Sequence, residues 1–187
     1  MILARRLVLV GAIGAALAVA FGLVHLTRPA WYQRFRYPLR YEQIVGSHAR
    51  NYRLDPALLA AVIYRESKFD PNARSRSGAI GLMQLLPATA IGIARRTGGK
   101  RFRASDLYDP ELNVRYGSWY LRHLLDKYGD ERLALAAYNA GQHNVDHWLA
   151  AGEGIAFPET RKYVDDVERL QEVYRHAYGA RLQQIDT

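Results

Sequence analysis

The hydrophobic and polar positions of this chain form one unbroken apolar run followed by a series of amphipathic segments. Leu7 to Leu26 is the run, twenty residues in which only His25 can carry charge and none is proline. As a helix rising about 1.5 Å per residue it would be about 30 Å long, the thickness of a bilayer's hydrocarbon core. Beyond Pro38 the apolar residues recur at helical spacing, punctuated by start and stop signals. Tyr41 to Arg53 places Ile44, Val45 and His48 on one face. Pro56 to Ser67 is apolar almost all round, with Asp55 poised as its cap and Pro56 at the first helical position. A short helix opens at Pro87 and reaches Arg96, and Asp109-Pro110 starts a longer one through Lys127. In the longer helix Val114, Trp119, Leu121, Leu124 and Leu125 are the candidate core. Leu133 to Asn139 stops at Gly141, and Val145 to Ala150 stops at Gly152. The last helix begins at Pro158 and carries Tyr163, Val167, Leu170, Val173 and Tyr174. No segment alternates as a half-buried strand would, although residues 98 to 106 leave room for a minor β element. The expected fold class is all-α (mainly α), preceded by one N-terminal transmembrane helix.

Three stretches follow: residues 1–26 as a membrane anchor or signal segment, 27–38 as a juxtamembrane linker, and 39–187 as the domain. Arg5-Arg6 before the apolar run would hold the N-terminus in the cytoplasm and place the rest on the extracytoplasmic side of the cell membrane, in the periplasm or cell wall. Ala18-Val19-Ala20 has the small-x-small pattern of a cleavage site, so a removed signal peptide is the rival; Phe21 to Leu26, continuing the apolar run, favours an anchor. In the linker, Trp31, Tyr32 and several arginines suit a headgroup layer. The absence of cysteine removes disulfides and thiol chemistry from consideration. His143 and His147 have metal-pair spacing but no third ligand nearby, so neither a metal nor another cofactor is expected. The net charge of +8 concentrates partly in Arg95, Arg96, Lys100, Arg101 and Arg103 around Gly98-Gly99. Such a cluster suits nucleic acid, anionic lipid or an acidic envelope polymer. Export of the domain, and the lack of a compact nucleic-acid signature, exclude nucleic acid as the expected partner.

Glu66 is the candidate for chemistry. It leaves the apolar helix on its last turn, where burial would raise its pKa and keep it protonated near neutral pH, as a general acid requires. Downstream comes Glu66-Ser67-x-Phe69-x-Pro71-x-Ala73-x-Ser75-x-x-Gly78-Ala79-x-Gly81-Leu82-Met83-Gln84-x-x-Pro87-x-Thr89-Ala90. Ala136-Ala137-Tyr138-Asn139-Ala140-Gly141 and Glu159-Thr160-Arg161-x-Tyr163-Val164 follow in order. Together these blocks resemble the signature of the lytic transglycosylases related to goose-type lysozyme, over roughly residues 39 to 178. One position departs from the family pattern: Leu86 stands where methionine is frequent, a swap of similar volume.

The resemblance implies a lysozyme-like fold and cleavage of the β-1,4 bond between N-acetylmuramic acid and N-acetylglucosamine in peptidoglycan, leaving 1,6-anhydromuramyl ends. It implies Glu66 as general acid and then base. It also implies substrate contacts from Ser75, Gln84, Tyr138, Asn139, Glu159 and Tyr163, with the glycan strands as partner beside the membrane at residues 7–26. Most glycosidases need two flanking carboxylates. Asp70, four residues after Glu66, instead reads as the cap of an Asp-Pro-Asn turn. A single acid is sufficient when the substrate supplies its own nucleophile, here the muramic C6 hydroxyl. A hydrolytic muramidase on the same fold and a non-catalytic wall-binding protein remain open, as do any cell-envelope assemblies the chain serves.

Overall fold

Asp55 does what its position before Pro56 predicts: its Oδ1 accepts from the Ala57 amide at 2.8 Å. That capped helix, Pro56–Ser67, is the centre of the computed structural model, which describes residues 2–99 and 101–184 and, within them, no side chains at 2–10, 12, 183 or 184. Lys100 of the basic cluster therefore lies outside the described residues, and in the run expected at 7–26 the side chains of 7–10 and 12 do.

The chain divides into two units, residues 1–38 and 39–187. The first contains α1 (Ile2–Thr27) and α2 (Ala30–Arg36). The segment read as a linker is thus partly helical; Pro29, with φ of −59°, leads into α2. Among the described residues no single helix is long and apolar enough to cross a membrane. The pair Ile13–Thr27 and Ala30–Arg36, bent by 82°, meets those limits together.

The second unit contains α3 (Glu42–Asn51), α4 (Pro56–Ser67), α5 (Pro87–Thr97), α6 (Pro110–Tyr128), α7 (Glu131–Ala140), α8 (Gln142–Ala150) and α9 (Pro158–Gln184). Three of these starts have a side-chain cap. Asp109 Oδ1 accepts from the Leu112 amide and Asp130 Oδ1 from the Leu133 amide, both at 2.8 Å, so α6 and α7 begin at side-chain caps. Residues 57 to 63 of α4 are all buried, as a helix without a polar face must be. Its most extensive partner is α9, which buries Tyr163, Val167, Leu170 and Tyr174. On its other flanks α4 meets α3, while α6 joins α3, α5 and α7 into the rest of the domain.

Among the described residues no β-strand forms. β pairing is confined to isolated bridges, Arg74 with Ile80 and Ile80 with Leu85. At 98–106, where a β element had room, Ala104–Tyr108 is a turn of 3-10 helix instead. There the Asp106 carboxylate accepts from the Arg103 amide at 2.8 Å and closes the turn.

Candidate active site

Glu66 is the last residue but one of α4, which ends at Ser67 because the next two residues leave the right-handed helix. Lys68 and Phe69 have φ of 53° and 64°. Neither is glycine, so this reversal is held against a local cost by tertiary contacts. Phe69 is fully buried between Tyr64 and Tyr174, with ring centroids 6.5 and 6.3 Å away. The chain then returns over Glu66 as an irregular wall, residues 70–86. Asp70 Oδ1 accepts from the Asn72 amide at 2.9 Å, the turn-capping role read from Asp-Pro-Asn.

Hydrogen bonds dictate the path of that wall. The Ser67 hydroxyl donates to the Leu82 carbonyl at 2.8 Å. Gln84, itself at φ of 48°, donates through Nε2 to the carbonyls of Ala73 and Gly81 at 3.0 and 2.9 Å. Asn113 of α6, wholly buried, uses its entire amide: Oδ1 accepts from Met83 N at 2.8 Å, and Nδ2 donates to Ile80 O and Leu107 O at 2.9 and 2.8 Å. Gly81 passes so close that a Cβ there would lie 2.2 Å from Asn113 Nδ2 and 2.3 Å from Leu107 O, at a φ of +80°. Only glycine fits that combination.

Wall, α4 and α7 enclose a cavity of about 320 Å³. Glu66, Ser75, Gln84, Tyr138 and Asn139 all line it, so five of the seven expected site residues converge. Tyr163 comes at Glu66 from α9: its buried hydroxyl donates to Oε1 at 2.7 Å. Glu159 stays away; it is exposed on the first turn of α9 and is not part of the lining. Thr89, a position of the first motif, lines the cavity too, as do Ser77 and Tyr120, which carried no sequence signal of their own. Leu86, the departure from the family pattern, lines it too and is 43% exposed, leaving its side chain available to a ligand. Asn113 was legible only as a polar residue within the apolar stripe of α6.

Several of these side chains are themselves held. Tyr138 donates to the Met83 carbonyl at 2.8 Å and packs on Tyr120, with centroids 5.6 Å apart. Asn139 Oδ1 accepts from the buried Thr160 hydroxyl at 3.0 Å, which leaves its Nδ2 as a donor. Ser75 Oγ pairs with Ser77 Oγ at 2.8 Å and accepts from the Ala79 amide at 3.0 Å. Behind Tyr163, the Arg65 guanidinium lies 5.2 Å from the ring centroid and is fixed by Asp166 at 3.2 Å.

The electrostatics follow from burial. Desolvation pushes the Glu66 carboxyl from 4.5 up to about 7; the Tyr163 hydrogen bond and the Arg65 charge oppose the rise without cancelling it. Burial also drives the Tyr138 and Tyr163 phenols well above their usual value, with the Glu66 charge adding to it. Both phenols therefore remain donors at neutral pH. Glu66 is the sole carboxylate among the described lining residues. It is an acid kept partly protonated at pH 7, with one oxygen engaged and the other available toward the cavity.

A helical domain with one buried acid beneath an irregular wall is the arrangement of lysozyme-like glycan-cleaving proteins. The transglycosylase SLT domain model matches residues 43–156, and the chain belongs to that family. The soluble lytic murein transglycosylase of Salmonella typhimurium is 35% identical over 156 residues, covering 77% of this chain and 24% of the relative. The membrane-bound lytic murein transglycosylase E of Buchnera aphidicola is 38% identical over 90 residues, covering 47% of this chain and 41% of the relative. The 70 kDa soluble lytic transglycosylase of Escherichia coli superposes with a TM-score of 0.73 at 32% identity, over 79% of this chain and 26% of that one. The chain thus spans about a quarter of the length of the soluble relatives it matches.

Proposed function

We propose that this chain is a peptidoglycan lytic transglycosylase. It cleaves the β-1,4 bond between N-acetylmuramic acid and N-acetylglucosamine and leaves 1,6-anhydromuramyl ends. The observation that carries the reading is a carboxyl raised to about 7 in a cavity whose described lining holds no second carboxylate. An enzyme with one acid and no partner base matches a substrate that brings its own nucleophile.

In the first step the Glu66 carboxyl gives its proton to the glycosidic oxygen, and the bond from that oxygen to the muramic C1 breaks. The 2-acetamido group of the same sugar stabilises the positive charge left on C1. In the second step O6 of that sugar bonds to C1, and Glu66, now a carboxylate, takes the proton from O6. The acid is regenerated, and neither water nor a metal is consumed. Tyr163 occupies Oε1 throughout, so one oxygen, Oε2, both delivers and collects the proton. A pKa near 7 serves both steps, since the same group must lose and regain a proton at neutral pH. Asn139 Nδ2, the Gln84 carbonyl oxygen and the Ser75 and Ser77 hydroxyls are the groups left to bind glycan. Glu159 would need the glycan to extend beyond the cavity.

The N-terminal unit would hold the domain at the cell membrane by a single pass through residues 7–26, with the domain on the extracytoplasmic side. In α1, Leu17, Val19, Phe21 and Leu26 are each more than 60% exposed to solvent, and lipid is the environment that would cover them. The Buchnera relative is named as membrane-bound, which agrees. Retention of the full chain in the membrane pellet after alkaline carbonate extraction is the expected result. Release into the supernatant would remove the anchor from this reading.

The activity is tested by mass spectrometry of muropeptides released from purified sacculi by the full chain in detergent, beside a Glu66→Gln variant. Anhydro products, one water lighter than reducing-end muropeptides, should appear and fall about a thousandfold in the variant. Reducing ends would make the protein a hydrolase. No release, with sacculi still bound, would make it an adhesion protein.

A further inference from the structure

Tyr163 touches two charged neighbours, Glu66 at its hydroxyl and Arg65 at its ring. Arg65 precedes Glu66 on the last turn of α4, so the two side chains leave the helix about 100° apart. Glu66 lines the cavity; Arg65 does not, and its side chain is 36% exposed. The Arg65 guanidinium, 5.2 Å from the Tyr163 ring centroid, is within reach of a cation–π attraction. Its Nε donates to Asp166 Oδ2 at 3.2 Å. Asp166 follows Tyr163 by three positions on α9, so carboxylate and ring share one face of that helix. Lys162 and Arg169 also meet Asp166, at 3.0 and 3.6 Å, but their side chains are more exposed than that of Arg65. An ion pair this open to solvent adds little to stability. Its place matters more, because it stands behind the side chain that hydrogen-bonds the acid.

The two-step chemistry gives such a cation a use. Burial holds the proton on Glu66, which serves the first step and opposes the second, where the group must stand as a carboxylate. A positive charge behind the phenol makes its hydroxyl a better donor, and a better donor favours the carboxylate. Burial raises both Glu66 and Tyr163, and the Arg65 charge pulls both back. The other groups around the acid do not do this. Tyr138 of α7 spends its hydroxyl on the Met83 carbonyl, and Tyr120 of α6 packs on Tyr138. Lys68, Asp70, Arg74 and Arg76, on the chain that forms the wall, are exposed and are not part of the cavity lining.

We propose that Arg65 and Asp166 are positioning residues for the reaction: Asp166 tethers the Arg65 guanidinium on the Tyr163 ring, and the guanidinium keeps the Tyr163 hydroxyl on Oε1 of Glu66. Oε2 is thereby left free to give and to take the proton. The proposal rests on the transglycosylase reading above.

The test reads the titration of Glu66 by NMR of the full chain in detergent, isotopically labelled at glutamate Cδ. The resonance is assigned by its loss in Glu66→Gln. The pH–rate profile of anhydro-muropeptide release from sacculi is measured beside it. Arg65→Gln should raise the Glu66 pKa, and the alkaline limb of the profile with it, by about half a unit. Arg65→Lys keeps a cation able to lie on the ring and should return both most of the way. Asp166→Ala decides by sign. Loss of a tether moves the limb up, as in Arg65→Gln, whereas loss of a plain negative charge moves it down. With Tyr163→Phe already present, Arg65→Gln should shift the titration less than half as much, because the two residues act in series.

A Glu66 titration unmoved by Arg65→Gln, or moved equally with and without the Tyr163 hydroxyl, would overturn the proposal. So would a downward or absent shift in Asp166→Ala. Thermal melting of the Arg65 and Asp166 variants should stay within about 3 °C of the parent. A larger fall with an unmoved titration would make the pair structural and the proposal wrong. The titration needs no turnover, so failure of the enzymatic reading shows separately, as no product from the parent protein.

Discussion

The floor of the Glu66 cavity and the wall above it are held by different physics. The floor is α4, whose residues 57 to 63 are no more than 3% exposed. Its grip is apolar area, about 2 kcal/mol for each fully buried leucine, spread over many small contacts. The wall also buries Leu82 and Met83, but its path is set by Lys68, Phe69, Gly78, Gly81 and Gln84 at positive φ and by hydrogen bonds from Ser67, Gln84 and Asn113. A surface held by many weak contacts yields gradually when one is removed. A loop held by a few directional bonds loses its course when one fails. Glu66 sits at the junction, positioned by the first and desolvated with the help of the second.

The strongest way to break this contrast is Gly81→Ala. A left-handed alanine and a collision with Asn113 and Leu107 together should cost about 4 kcal/mol, read from thermal or urea unfolding. Activity should be lost even where the protein remains folded, because the wall cannot close. Leu59→Ala, deep in the floor, should cost about 3 kcal/mol yet leave the turnover of the folded protein nearly unchanged. If the floor variant lost turnover while fully folded and the wall variant kept it, the division of labour would be reversed.

Next in size is a stability effect at the junction. A carboxyl whose folded pKa is raised from 4.5 to about 7 contributes stability that is complete below 4.5 and lost as pH rises through 7. Glu66→Gln does not titrate. Its stability relative to the parent should therefore grow by about 3 kcal/mol between pH 4 and pH 8, measured by urea unfolding at both. A difference independent of pH would mean that the acid is not desolvated. The smallest effect sharpens the junction further. Tyr163→Phe removes a hydrogen bond that lowers the Glu66 pKa, so the alkaline limb of the pH–rate profile should move up by about one unit while kcat falls. An unmoved limb would assign Tyr163 to packing alone.

The motif blocks made much of this site legible before any coordinates, because Ser75, Gln84, Tyr138 and Asn139 sit within contiguous stretches and reach the cavity with Glu66. Glu159 belongs to an equally recognisable block yet lies outside the lining, since membership of a motif does not say which way a helix turns its first residues. Tyr120 and Asn113 had the reverse fate. Each is an ordinary helical residue whose role exists only through partners far along the chain.

The chain by itself determined where α4, α6 and α7 start, because Asp55, Asp109 and Asp130 cap by bonds to amides two or three residues away. Such interactions are complete within one turn and need no fold to be read. The tertiary structure decided the state of Glu66. Its partner Tyr163 is 97 positions distant, and the wall above it is fastened by Asn113, 30 and 33 positions from the groups it holds there. A pKa depends on the water excluded from around a group, and that exclusion exists only once remote segments have closed over it.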